Sequence, residues 1–178
     1  MKFAKSLKLN NGNILIAGNV GIYTYDNTGK NLLYECPITE NNIELESDAF
    51  YTTLVQFPKK YNGLVLAFVK HIMYILDSNG NFKFKKQPPN LSLSENNKFY
   101  TIVPHTYNNN NYFFVLAYIN EGSKAILQYF SINIENEAIT LNADYVFDEN
   151  DSDRVGLMYT KYFLFFTLKL YLKKNIGK

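Results

Sequence analysis

One stretch constrains this chain more than any other. Asn62-Gly63 opens the run Leu64-Val65-Leu66-Ala67-Phe68-Val69, apolar at every position. A second apolar run, Ile72-Met73-Tyr74-Ile75-Leu76, ends at Asp77-Ser78-Asn79-Gly80. Short apolar runs bounded by turn residues read as strands with both faces covered. Phe82-Lys83-Phe84-Lys85-Lys86 alternates instead, with Phe82 and Phe84 on one face and Lys83 and Lys85 on the other. That pattern marks a strand with one solvated face, and its lysines blunt a sheet edge. Asp77-Ser78-Asn79-Gly80 is hairpin chemistry: the Asp caps the turn, and the Asn-Gly pair is able to take positive φ angles.

The same order occurs earlier. Asn11, Gly12, Tyr23, Asp26 and Gly29 recur 51 residues later as Asn62, Gly63, Tyr74, Asp77 and Gly80. A shared register at the positions where hairpins demand special residues marks an internal repeat. A third unit is looser. Val65-Leu66-Ala67 recurs as Val115-Leu116-Ala117 at a shift of 50, and Phe50-Tyr51-Thr52 as Phe99-Tyr100-Thr101 at a shift of 49. Its third strand is expected over Ala125–Asn133, followed by a turn without the Asp-x-x-Gly pattern. The asparagine run 108–111 reads as an expanded hairpin. Met158-Tyr159-Thr160 resembles the Phe-Tyr-Thr entries and opens a partial fourth unit. The units are thus expected at about 1–48, 49–97 and 98–153, with a partial one at 154–178. Polar connectors at 39–48, 87–98 and 148–153 separate them, and Pro88-Pro89 forbids regular strand pairing there.

A period near 50, about four strands per unit and an apolar-Asp-x-x-Gly hairpin resemble the blade of a β-propeller. Gly21-Ile22-Tyr23-Thr24-Tyr25-Asp26-Asn27-Thr28-Gly29-Lys30 and Ile72 to Asn81 are similar to the third-to-fourth strand hairpin of YVTN-type and quinoprotein-like propellers. The resemblance runs from Phe3 to about Phe147. It implies an all-β fold of antiparallel four-stranded blades, about three plus a partial fourth, not closed. With no Trp in the chain, a tryptophan–aspartate repeat, a sialidase Asp box and a tryptophan docking motif do not fit, and without a Gly-Gly pair kelch repeats fit poorly. Propellers close with about four to eight blades. The chain is therefore expected to be a fragment, a truncated gene product without independent function, or a subunit that completes a ring by association. Open strand edges predict self-association.

Composition supports strand and excludes several classes. The aromatic share of 16% comes from 15 Tyr and 14 Phe, residues that suit a pleated, half-buried surface. A net charge of +2 gives no concentrated basic face, so nucleic acid is not expected as a partner. The apolar run 162–168 is far shorter than the about 20 residues of a membrane-spanning helix. Cys36 is the only cysteine, so no internal disulfide forms. With no signal peptide in these residues, a cytoplasmic setting is weakly favoured, and an extracellular one stays open if the N-terminus is truncated.

No residue pattern in the sequence points to a catalytic, cofactor-binding or metal-ligating role. His71 and His105 read as strand-end residues, with no second ligand at zinc spacing. Cys36 reads as an inert thiol. Asp144, Asp148, Glu149, Asp151 and Asp153 lack the glycine and glutamate of a calcium loop and read as a solvated connector. Glu40, Glu44, Glu46 and Asp48 read the same way. Gly18 and Gly21 lack the third glycine of a dinucleotide site. Asn90-Leu91-Ser92 and Asn150-Asp151-Ser152 match the glycosylation pattern, as chance allows in an Asn-rich chain. Asn11, Gly12, Asp26, Gly29, Asn62, Gly63, Asp77, Asn79 and Gly80 are expected as structural turn residues. The favoured function is a noncatalytic module binding protein or carbohydrate through loop faces. The rival is part of a propeller hydrolase or lyase whose site is completed by missing blades.

Overall fold

The computed structural model describes residues 4–18, 20–38, 52–69, 71–91, 98–119 and 125–147. They contain β1 (Ala4–Lys8), β2 (Ile14–Gly18), β3 (Gly21–Tyr25), β4 (Leu32–Pro37), β5 (Thr53–Gln56), β6 (Val65–Val69), β7 (Ile72–Leu76), β8 (Phe82–Lys86), β9 (Lys98–Asn108), β10 (Asn111–Ile119), β11 (Ala125–Asn133) and β12 (Ala138–Phe147). The strands form three four-stranded antiparallel sheets, each a meander: sheet 1 is β1-β2-β3-β4, sheet 2 is β5-β6-β7-β8, and sheet 3 is β9-β10-β11-β12. No sheet closes on itself. Among the described residues the only helical element is one 3-10 turn, Lys59–Tyr61. The all-β architecture of open, four-stranded antiparallel units is the one expected. The connectors 39–48 and 148–153 and the partial fourth unit 154–178 lie outside the described residues.

Sheet 2 lies between the other two, which explains its composition. All five residues of β6 are buried. Side chains alternate across a strand, so Val65, Ala67 and Val69 turn to sheet 1 with Tyr74 and Leu76 of β7. There they meet Leu9, Leu15, Ala17 and Ile22. Leu66, Phe68, Met73 and Ile75 turn the other way, into the seam with Ile102, Phe114, Leu116 and Phe130 of sheet 3. Phe114 stacks on Phe130 with ring centroids 5.4 Å apart, and Phe57 meets Tyr112 edge-on at 5.2 Å. A strand with a polar face could not occupy this position.

One expectation fails, and one repeat match is limited to the strand, where a single residue shifts the phase. Phe82 and Phe84 do not share a face. Phe84 lies in the seam with sheet 3, while Phe82 packs against the seam with sheet 1. Leu76 pairs with Phe82 and Ile75 with Phe84, leaving Lys83 as the extra residue of a bulge. A bulge breaks the period of two. Lys85 consequently stands over the Tyr74 ring at 5.9 Å. The match of Val65-Leu66-Ala67 with Val115-Leu116-Ala117 holds for the strand, the second of each sheet, but not for its faces. Leu66 faces sheet 3, but Leu116 faces sheet 2. Ala67 faces sheet 1, but Ala117 packs with Val103 and Leu127 in a separate cluster. The shift of 50 is one residue out of the register of 51 that carries faces from sheet 1 to sheet 2, and a one-residue slip exchanges every side chain.

The asparagine run is also not an expansion. Asn108 pairs directly with Asn111, leaving Asn109 and Asn110 as a two-residue turn with φ angles of 48° and 62°. Two left-handed residues in a two-residue hairpin are what a type I′ turn requires, and Asn tolerates them. Asn110→Val should therefore lower stability by about 1–2 kcal/mol, the cost of a left-handed residue with a branched Cβ. Asn110→Gly should stay within about 0.5 kcal/mol of the parent. Urea midpoints of the two variants check this.

Candidate functional site

The Asp-x-x-Gly hairpins are compact, self-satisfied loops. In the β3–β4 turn, Gly29 N–H donates to Asp26 O at 3.0 Å, and Asp26 N–H donates to Asn31 O at 2.9 Å. The β7–β8 turn repeats this with Gly80 to Asp77 at 3.1 Å and Asp77 to Asn81 at 2.9 Å. Gly29 and Gly80 take φ angles of +73° and +89°. Asn79 does not share the positive φ expected of it. Its backbone N–H donates to Asp77 Oδ1 at 2.8 Å. Asp26 Oδ1 accepts from the Thr28 hydroxyl at 2.7 Å and from the backbone of Thr28 and Lys30, each at 3.1 Å, while Oδ2 accepts from Asn31 Nδ2 at 2.6 Å. The Thr28 hydroxyl, with the Asn31 and Lys30 donors, holds the Asp26 carboxyl down at about 2. At Asp77 burial pushes the pKa up, but the Asn81 and Asn79 donors and Lys83 outweigh it, and the net direction is down. Both carboxylates are engaged in holding their own turns.

Several of these turns meet across the sheets. Asn11 Nδ2 donates to Asn79 Oδ1 at 3.0 Å, joining the β1–β2 and β7–β8 hairpins. Asn10 N–H donates to Gln56 Oε1 at 2.7 Å. Gln56 Nε2 in turn donates to Gly63 O at 2.8 Å. Gly12 and Gly63 hold φ angles of +93° and +62°, and Asn62, at φ 59°, ends the 3-10 turn. Thr24 Oγ1 donates to Gly80 O at 2.9 Å, latching the turn of sheet 2 onto sheet 1. The lattice continues to sheet 3. Phe57, beside the β5–β6 loop, meets Tyr112 next to the β9–β10 turn, and Asn62 acts on the Tyr112 hydroxyl as Lys60 and Thr106 act on that of Tyr61. Asn110 Nδ2 donates to Glu135 Oε1 at 2.9 Å. The inner hairpins of the three sheets therefore line up at one end of the stack, coated with amides. Asn10, Thr24 and Gln56 carry much of this lattice and were not expected. Their only sequence signal is polarity beside apolar strands, which does not distinguish a cross-sheet bond from solvation.

The histidines and the cysteine are not brought together. His71 is buried in the β6–β7 turn at φ 66°, edge-on to Phe68. His105 Nδ1 lies 3.4 Å from the Tyr129 hydroxyl. Burial pushes the Cys36 thiol up, against a smaller opposing pull from Lys85. Gln128, buried, donates to Asn90 O at 3.4 Å. Among the described residues no three His, Cys, Asp or Glu side chains converge as metal ligands. Asp144 is exposed on β12, and the other members of its acidic run lie outside the described residues.

Burial lowers the pKa of both histidines from 6.5. The unfolded chain then binds more protons than the folded one as pH falls below that value, so stability should be full above about 6.5 and decline from there toward pH 5. Asp26 adds no slope in this window, because its carboxylate is lost only as pH falls toward about 2. Melting temperatures at pH 7, 6 and 5 should fall in that order, and replacing both histidines by glutamine should flatten the trend.

No protein-family model matches this sequence, and no curated protein matches it. No helix among the described residues is long and apolar enough to cross a membrane.

Proposed function

We propose that this chain is built of β-propeller blades and serves as a noncatalytic interaction module that takes a protein partner at its hairpin end. The observation that carries this reading is the amide lattice there. Asn11 to Asn79, Asn10 to Gln56 and Asn110 to Glu135 hold exposed turns in fixed positions. Turns held in advance lose little conformational entropy on binding. Their exposed amides and the Lys60–Tyr61 pair, with the ammonium 4.7 Å from the ring centroid, offer donors, acceptors and an aromatic surface. Polar groups and tyrosines of this kind suit a wet protein interface.

A photo-crosslinking residue at Asn27 or Asn79, compared with one on the exposed strand position Lys85, tests the reading. It predicts a discrete protein adduct from the hairpin positions alone, competed by unlabelled chain. Adducts from all three positions alike, or binding only to an arrayed glycan, would overturn the choice of a protein partner.

A further inference from the structure

Sheet 2 covers one face of sheet 1, no described strand covers the other, and the repeat indicates what such a face does. On sheet 2 the face formed by Val65, Ala67, Tyr74 and Leu76 is covered by sheet 1, leaving these residues 0–1% exposed. The equivalent positions 51 residues earlier are Ile14, Ile16, Tyr23 and Tyr25, and all four are only half-buried. Gly80 is likewise buried under Thr24 and Leu9, while its counterpart Gly29 is exposed. Large exposed apolar side chains gather at the margins of the same sheet: Val20 at 48%, Leu32 at 47% and Leu33 at 55%. The far side of sheet 3 is closed at its centre, where Val115 and Ala117 are 1% and 0% exposed, while Phe113, Leu127 and Tyr129 beside them are half-buried.

The open face differs from its covered counterpart in a telling way. Isoleucine replaces valine and alanine, and tyrosine replaces leucine. Tyrosine joins apolar area to a hydroxyl that tolerates water, which is why it is enriched between molecules. Charge adds a direction. Lys8 pairs in register with Ile14 on one margin, and Glu35 pairs with Tyr23 on the other. Both are exposed. Residues in register share a face, so a lysine and a glutamate stand at opposite edges of one apolar field.

We infer that this face docks the same face of a second copy of the chain about a two-fold axis running roughly along the strands. Such an axis lays β1 of one copy over β4 of the other, and β2 over β3. The isoleucines and tyrosines of the two copies interdigitate, and Lys8 of each copy meets Glu35 of its mate. Self-complementary contacts of this kind close at two subunits.

Light scattering on the full chain across a concentration series tests this. The expected result is a particle of twice the 20.6 kDa chain mass. Lys8→Glu and Glu35→Lys should each shift the protein to monomer, and the two together should restore the dimer. Ile16→Glu should give monomer with no rescue, its circular dichroism unchanged. A wild-type chain that stays monomeric into the millimolar range overturns the inference and assigns the face to another unit of the repeat or to a different protein. A dimer or larger species indifferent to both charge reversals also overturns it, and points to pairing through strand edges.

Discussion

Phe114→Ala should remove about 3–5 kcal/mol of stability, enough to unfold a domain of ordinary stability. Phe114 is fully buried in the seam between sheets 2 and 3 and stacks on Phe130. Truncation loses the transfer free energy of the ring and leaves a cavity that two stiff sheets cannot collapse around. Phe113 is the control. It sits one residue earlier on the same strand, faces away from sheet 2 and is only half-buried. Phe113→Ala should cost clearly less. Urea denaturation, read as a change in midpoint at constant slope, separates the two. Equal losses would mean that the sheet 2–sheet 3 seam is not where the core energy lies.

Gly80→Ala should be more damaging than Gly29→Ala, although the two glycines hold the same place in the repeat. Both have left-handed φ angles, so each substitution carries a backbone cost of about 1–2 kcal/mol. A Cβ on Gly29 meets nothing closer than Ile14 Cδ1 at 3.5 Å, an ordinary contact. A Cβ on Gly80 meets Thr24 Oγ1 at 2.5 Å and Thr24 Cγ2 at 3.0 Å. Thr24 must move, and its bond to Gly80 O is lost with it. The added penalty is about 1–3 kcal/mol, from overpacking and a broken buried hydrogen bond. Thr24→Ser should relieve part of the collision, so the Gly80→Ala loss should shrink in that background. Additive losses in the double mutant would place the strain elsewhere.

The comparison of these two glycines shows how far sequence reading reaches. Asp26 and Gly29, like Asp77 and Gly80, were legible as hairpins because turn chemistry is local: a carboxylate caps the next few N–H groups and a glycine absorbs the left-handed angle. The uniformly apolar β6 was legible as doubly covered because alternation would have been visible had one face met water. The direction of Phe82 was not legible, since a bulge is decided by the partner strand. The exchanged faces of Val115-Leu116-Ala117 left only a faint trace, a shift of 50 where the first two units keep 51. At the hairpin end, Asn11 and Asn79 were found as turn residues, but their bond spans 68 positions. Gln56 and Thr24 carried no pattern at all.

Local periodicity and turn chemistry alone determined that this chain folds as repeated antiparallel strands of about four per unit, with the middle unit covered on both sides. Those properties follow from interactions among residues a few positions apart, which a linear text preserves. Only the tertiary structure decided which side chains share a seam, that Gly80 is locked under Thr24 while Gly29 stands free, and that no described strand covers one face of sheet 1. These depend on how separate sheets stack, and stacking is settled by shape and burial between residues that the sequence keeps far apart.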